Sequence, residues 1–160
     1  MQTNKDKHGL LMIYTGNGKG KTTAALGQML RAWGWDMKVV MFQFIKDTGL
    51  STGEHRAAQK MNFNIRPLGT GFTWNIKDKD RAETIALEQW NRCQEAMSSG
   101  QFDMIILDEV SYALNNSWIL TPDNINHVLH LCKPSCICGC FALQELFNTP
   151  GPPRPDEHLI

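Results

Sequence analysis

No excess of either charge marks this chain: 16 Lys plus Arg balance 16 Asp plus Glu over 160 residues. There is no bulk field to draw it onto nucleic acid or an anionic membrane surface, so neither is expected as a partner. Long apolar runs are lacking too, and none approaches the roughly 20 residues needed to span a bilayer. The opening stretch Met1 to His8 is polar and has no apolar core of a secretory signal. The cysteines number 5, an odd count without the paired spacings of a disulfide framework. Reduced thiols and a cytoplasmic setting are the expectation. Repeats and low-complexity stretches are absent before a proline-rich tail. A polar extension (1–8), one α/β domain (9–148) and that tail (149–160) account for the length.

What the chain does contain is concentrated between Tyr14 and Thr23, in Tyr-Thr-Gly-Asn-Gly-Lys-Gly-Lys-Thr-Thr. An apolar run, Leu10 to Ile13, precedes it and reads as a buried strand. A helical pattern follows, with Leu26, Met29, Leu30 and Trp33 at helix spacing. Strand, glycine-rich turn, Lys-Thr and helix is the order of a P-loop. In such a loop Gly16, Asn17, Gly18, Lys19, Gly20, Lys21, Thr22 and Thr23 wrap a polyphosphate with backbone N–H groups at the positive end of a helix dipole. Lys21 reaches the outer phosphates, and the Thr22 hydroxyl sits on Mg²⁺. The usual pattern has glycine where this chain has Thr15, so the loop is a variant whose first glycine comes one place late.

Downstream, strand and helix alternate without an internal linker. A second strand is expected at Lys38 to Phe44, after the turn Gly34-Trp35-Asp36, then a short helix around Glu54 to Lys60 and a strand at Phe63 to Pro67. Asp80, with Glu83 three residues on, caps a long helix from Arg81 to Ser98. Its apolar stripe is Ala82, Ile85, Ala86, Trp90, Cys93 and Met97, and Gly100 ends it. Met104 to Leu107 reads as a buried strand, and Thr121-Pro122 opens another helix. Such alternation predicts a P-loop NTPase-like three-layer α/β fold with a mainly parallel central sheet. Leu107-Asp108-Glu109 supplies the second half of a nucleotide site. An apolar strand ending in acid sets carboxylates at the carboxyl edge of the sheet, where open α/β folds bind ligands. One carboxylate there holds Mg²⁺ directly or through water, opposite Thr22. The plainer alternative is that Asp108 only caps the next turn.

The ordered set Gly16 to Thr23, Gln43-Phe44-Ile45-Lys46, Gly53-Glu54, Gly69-Thr70-Gly71-Phe72-Thr73-Trp74 and Leu107-Asp108-Glu109 with Tyr112-Ala113-Leu114 resembles the P-loop ATP:corrinoid adenosyltransferases. The resemblance runs from about Gly9 to Leu131. It implies attack by a Co(I) corrinoid on the 5′-carbon of ATP, release of triphosphate, and formation of a cobalt–carbon bond. The phosphate chain is then a leaving group held as one unit. Lys19, Lys21, Thr22, Mg²⁺ (or Mn²⁺) and backbone N–H groups stabilise its growing charge. The nucleophile is the cofactor's own metal, so no catalytic Ser, Cys or His is needed. By the same resemblance Phe72 and Trp74 belong to a loop that displaces the lower axial ligand of cobalt, which eases reduction to Co(I). Their plainer reading is two core aromatics. Glu109 is favoured over Asp108 as the metal partner, and a flavin-type reductant protein and a homodimer are implied as partners.

Weaker features fill out the reading. Gln43 and Lys46 follow the second strand and line the pocket, or Lys46 is a solvated surface charge. Glu54 and Arg56 lie where the family approaches nucleotide or corrinoid. His127 and His130 read as a surface pair rather than metal ligands, and Trp33 and Trp90 as core. Cys136, Cys138 and Cys140 alternate along an extended strand; together with Cys132 they suit buried thiols better than zinc, which needs wider gaps between paired cysteines. After about Ser135 the chain departs from the family, with Cys138 to Leu146 where a Thr-Gly-Arg segment is expected and a tail rich in proline from Thr149 to Pro155. The C-terminal part is therefore atypical or truncated, and a missing last strand exposes a sheet edge. Two other classes stay open: a P-loop kinase or ATPase, and an ATP-binding paralogue without catalysis.

Overall fold

The computed structural model describes residues 10–16, 18–46, 49, 52–69 and 79–119, and the backbone alone of 136–140. Strands and helices alternate: β1 (Leu11–Ile13), α1 (Lys21–Trp33), β2 (Val39–Gln43), α2 (Gly53–Met61), β3 (Asn64–Pro67), α3 (Lys79–Ser99), β4 (Met104–Asp108), α4 (Val110–Asn115) and β5 (Cys136–Cys140). The strands form one sheet in the order β1-β5-β4-β2-β3, and every neighbouring pair is parallel.

The apolar runs Val39 to Phe42 and Met104 to Leu107 are what a parallel sheet covered on both faces requires. Alternation along the strands divides them. Val40 and Phe42 on β2, with Ile105 and Leu107 on β4, pack against Ala86, Trp90, Cys93 and Met97 of α3 and Val110 and Ala113 of α4. Met41 and Ile106 face the other way and pack against Ala25, Met29 and Ala32 of α1. The sheet thus lies between α1 on one side and α3 with α4 on the other, the expected three layers. In register, Phe42 pairs with Leu107 and Gln43 with Asp108. By the same alternation Gln43 and Asp108 fall on the face of Met41 and Ile106, toward α1. A slip of one residue would exchange the side chains that fill the two layers and turn Gln43 and Asp108 away from α1.

Several local expectations are corrected. β1 is not a buried strand: it lies at the sheet edge among the described residues, and Leu10 and Ile13 are exposed. The buried stripe of α1 is Ala25, Met29 and Ala32 rather than one containing Leu30 and Trp33, which are each 47% exposed. Small residues let α1 approach the sheet closely, while Trp33 leans edge-on against Phe63 at its margin. Asp80 lies inside the first turn of α3, which starts at Lys79, instead of capping it. Gly100 does end α3, with φ of 64°. An extended β5 is present as read from Cys136 to Cys140. The helix expected from Thr121, His127, His130, Cys132 and the tail from 149 lie outside the described residues.

Candidate functional site

The chain leaves β2 toward β3 on one side and β4 toward β5 on the other, so the two connections part beyond strands that stay paired to Gln43 and Asp108. A crevice opens at such a switch point. Gln43 and Asp108 end the two strands there, both buried, at 0% and 1% exposure.

The β1–α1 loop reaches the same edge. Gly16, Gly18 and Gly20 hold φ of 130°, 133° and 105°, where a side chain would be strained, and the last delivers the chain into α1. Lys21 folds back over the loop and donates from Nζ to the carbonyls of Gly16 (2.8 Å) and Gly18 (2.6 Å). Its ammonium is thereby held against the loop. Lys19 and Thr23 are exposed, and Asn17 lies outside the described residues. Thr22, in the first turn of α1, donates from Oγ1 to Asp108 Oδ1 at 3.0 Å, joining residues 86 apart in sequence. Asp108 Oδ2 accepts from Gln43 Nε2 at 3.1 Å. Gln43 Oε1 meets His55 Nε2, on α2, at 2.7 Å. Lys46 forms an ion pair with Glu54 in the first turn of α2 and is not a solvated surface charge; its charge also acts on Asp108 and Glu109.

Charge in the crevice follows from burial. Desolvation pushes the Asp108 carboxyl above its ordinary value, although the hydrogen bonds from Gln43 and Thr22 pull the other way. Burial first, and the charge of Asp108 second, push Glu109 up to about 7. Burial alone would raise Glu54 as well, but its hydrogen bond with Lys46 and the charge of that lysine help bring it below the ordinary value. Glu109 is unusual in two further ways. Its backbone sits at φ 60°, a left-handed conformation uncommon outside glycine, and its Oε2 is buried with no hydrogen-bond partner. Asp108 is the opposite case, with both carboxylate oxygens occupied. Among the described residues no three His, Cys, Asp or Glu side chains converge to hold a metal by themselves.

Just beyond β3, Gly69 packs flush on Ile45: a Cβ there would lie 2.2 Å from the Ile45 carbonyl carbon and oxygen. The Leu68 N–H donates to the Gln43 carbonyl at 3.1 Å, fastening the start of the next loop to the same edge. Phe72 and Trp74 lie outside the described residues. The structure brings Lys21, Thr22, Asp108 and Glu109 to one edge of the sheet and sets Gln43 and His55 beside them. The sequence marks Gln43 only as lining a pocket. Nothing in Gly-Glu-His-Arg distinguishes His55. Gln89 of α3 is fully buried too, donating to the Arg66 carbonyl at 2.9 Å; its spacing from Ala86 and Cys93 was the available signal.

The family model described as ATP:corrinoid adenosyltransferase BtuR/CobO/CobP matches residues 7–137. A corrinoid adenosyltransferase of Escherichia coli (strain K12) is 36% identical over 161 aligned residues, covering 98% of this chain and 82% of that protein. One from Pseudomonas aeruginosa is 34% identical over 119 residues, covering 72% of this chain and 57% of its own length. Corrinoid adenosyltransferase CobA of Salmonella typhimurium is 33% identical over 108 residues, with 68% and 55% covered. The family match ends within β5, while the Escherichia coli alignment covers nearly the whole chain.

Proposed function

The chain belongs to the ATP:corrinoid adenosyltransferase family, and we propose that its carboxyl-edge crevice performs adenosyl transfer from ATP with the residues that follow. The Co(I) electron pair of the corrinoid attacks the 5′-carbon of ATP. The bond from that carbon to the phosphate oxygen breaks, and triphosphate leaves with the pair. Gly16 to Thr23 hold the phosphates, and Lys21 exchanges its loop carbonyls for phosphate oxygens, offsetting charge on the departing group. Phe72 and Trp74, in the segment that follows Gly69, act by excluding a lower axial ligand from cobalt. The observation that carries the reading is the Thr22–Asp108 hydrogen bond, which locks the phosphate loop to the acid-bearing strand across the crevice.

The donor set fits Mg²⁺. Thr22 offers a hydroxyl oxygen, and Glu109 an unpartnered buried carboxylate oxygen, whereas both oxygens of Asp108 are engaged. We therefore assign Glu109 as the direct partner and Asp108 as the residue behind Thr22. When bound, the ion adds positive charge against the triphosphate; oxygens from substrate and water would complete its shell. Residues 9–148 act as one unit in this reading. The reaction serves cobalamin biosynthesis or salvage in the cytoplasm, with a flavin-type protein as reductant and a homodimer as the working form.

The test is an absorbance spectrum after mixing the chain with chemically reduced cobalamin, ATP and Mg²⁺. A light-sensitive alkylcobalamin with one triphosphate released per turnover is expected. Release of phosphate or ADP would return the site to the kinases and ATPases, and ATP binding without alkylation would mark a paralogue that has lost catalysis.

A further inference from the structure

The hydrogen bonds behind Asp108 have only one consistent polarity. An ionised carboxylate accepts and never donates, so Gln43 turns its NH₂ toward Asp108 Oδ2 (3.1 Å). The Gln43 amide oxygen is left facing His55 Nε2 at 2.7 Å, and since that oxygen only accepts, Nε2 carries the hydrogen. Each group dictates the orientation of the next. A flipped Gln43 amide would set oxygen against oxygen at Asp108 and would fit His55 only as the Nδ1–H tautomer. Gln43 is fully buried, so no solvent is at hand to relieve the clash at Asp108.

We infer that Gln43 and His55 are positioning residues for the nucleotide site: the first turn of α2, acting through His55 and then Gln43, holds Asp108 in the rotamer that takes the Thr22 hydroxyl hydrogen. That commitment leaves the lone pairs of the Thr22 oxygen available to a cation. The inference rests on the assignment of the crevice to ATP and Mg²⁺, and goes beyond it by tying α2 to the phosphate loop. The same turn of α2 is fastened to the end of β2 a second time by the Glu54–Lys46 ion pair, so the anchor of the relay is itself held.

Affinity for ATP·Mg²⁺, measured by titration calorimetry on the full chain, reads the relay without requiring adenosylation. His55→Leu, which keeps bulk and loses the donor, should weaken binding about tenfold, the effect of one lost hydrogen bond to a buried polar group. His55→Gln carries an amide N–H at similar reach and should recover most of that loss. Gln43→Leu should weaken binding at least as much as His55→Leu, and the two losses should not add in the double variant, because Gln43 is the link between His55 and Asp108. Equal effects of His55→Leu in both backgrounds, or no rescue by His55→Gln, would overturn the inference. Should Gln43→Leu fail to fold, the His55 pair of variants decides. If the parent chain does not bind ATP, the proposed function fails. The relay is then judged by nitrogen-15 NMR of the ligand-free chain, where His55 must be the Nε2–H tautomer; an Nδ1–H tautomer refutes it.

Discussion

Replacing Glu109 by glutamine should make the ligand-free protein more stable at neutral and alkaline pH, although it removes a group assigned to the active site. The Glu109 carboxyl stands at about 7 in the fold against an ordinary 4.5, through burial first and the neighbouring charge of Asp108 second. Between those values the folded chain holds a proton that the unfolded chain has lost. Stability from this group is therefore complete below about pH 4.5 and is lost as pH rises through about 7. At about 1.36 kcal/mol per pH unit, the span corresponds to ~3 kcal/mol. Glutamine keeps the shape, fills the same space and carries no charge to desolvate. Urea unfolding of parent and Glu109→Gln, without nucleotide and with chelator present, should give similar stabilities near pH 4.5. A gap should open to ~3 kcal/mol in favour of the variant by pH 8. With ATP and Mg²⁺ added the order should reverse, since the variant has lost its anionic oxygen. Parallel pH profiles for the two ligand-free proteins would refute the reasoning and make Glu109 an ordinary solvated acid.

Lys21→Ala and Thr22→Ala should each lower ATP affinity by roughly tenfold to more than a hundredfold, the range for losing a hydrogen bond to a charged group; unchanged binding in calorimetry would remove the phosphate loop from the site. Alanine at both Phe72 and Trp74 should leave ATP affinity nearly intact while weakening the four-coordinate Co(II) signal of the ATP-bound complex. Much of the adenosylation rate should return when Co(I) is supplied chemically, and an unaltered Co(II) spectrum would identify the pair as core aromatics. Gly69→Ala must push a methyl into the Ile45 backbone, and overpacking of that kind costs about 1–3 kcal/mol; a urea midpoint equal to the parent's would show that the loop yields without strain.

The phosphate loop and the acid pair were legible in the sequence because each is contiguous: Gly-Lys-Gly-Lys-Thr-Thr and Leu-Asp-Glu carry their chemistry in neighbouring residues. The layers were legible because Val39 to Phe42 and Met104 to Leu107 are apolar without interruption. His55 and the role of Gln43 were not, since their partnership depends on how α2 settles against β2, which no spacing encodes. The stripe of α1 misled for a related reason. Leu30 and Trp33 have the bulk that marks a core position, yet the contact with the sheet is made by Met29, as its spacing predicts, and by Ala25 and Ala32, whose small size sets how near the helix can come. The apolar run of β1 suggests burial, but burial of a strand depends on what lies beside it, and among the described residues β1 stands at the edge. Asp80 has the chemistry of a cap, and α3 begins before it.

The sheet order has a consequence for how the protein comes into being. β1 emerges early from the ribosome, yet the strand it pairs with is β5, at Cys136–Cys140. At roughly 5–20 residues per second of synthesis, the phosphate loop waits roughly 6–25 s for its neighbouring strand. During that interval β2, β3 and β4 can already pair among themselves, so a nascent chain carries the acid-bearing half of the crevice well before the phosphate-holding half is anchored. ATP binding is then a late event in the life of each chain, and a ribosome stalled before Cys136 should release a product able to build part of a sheet but unable to hold a nucleotide.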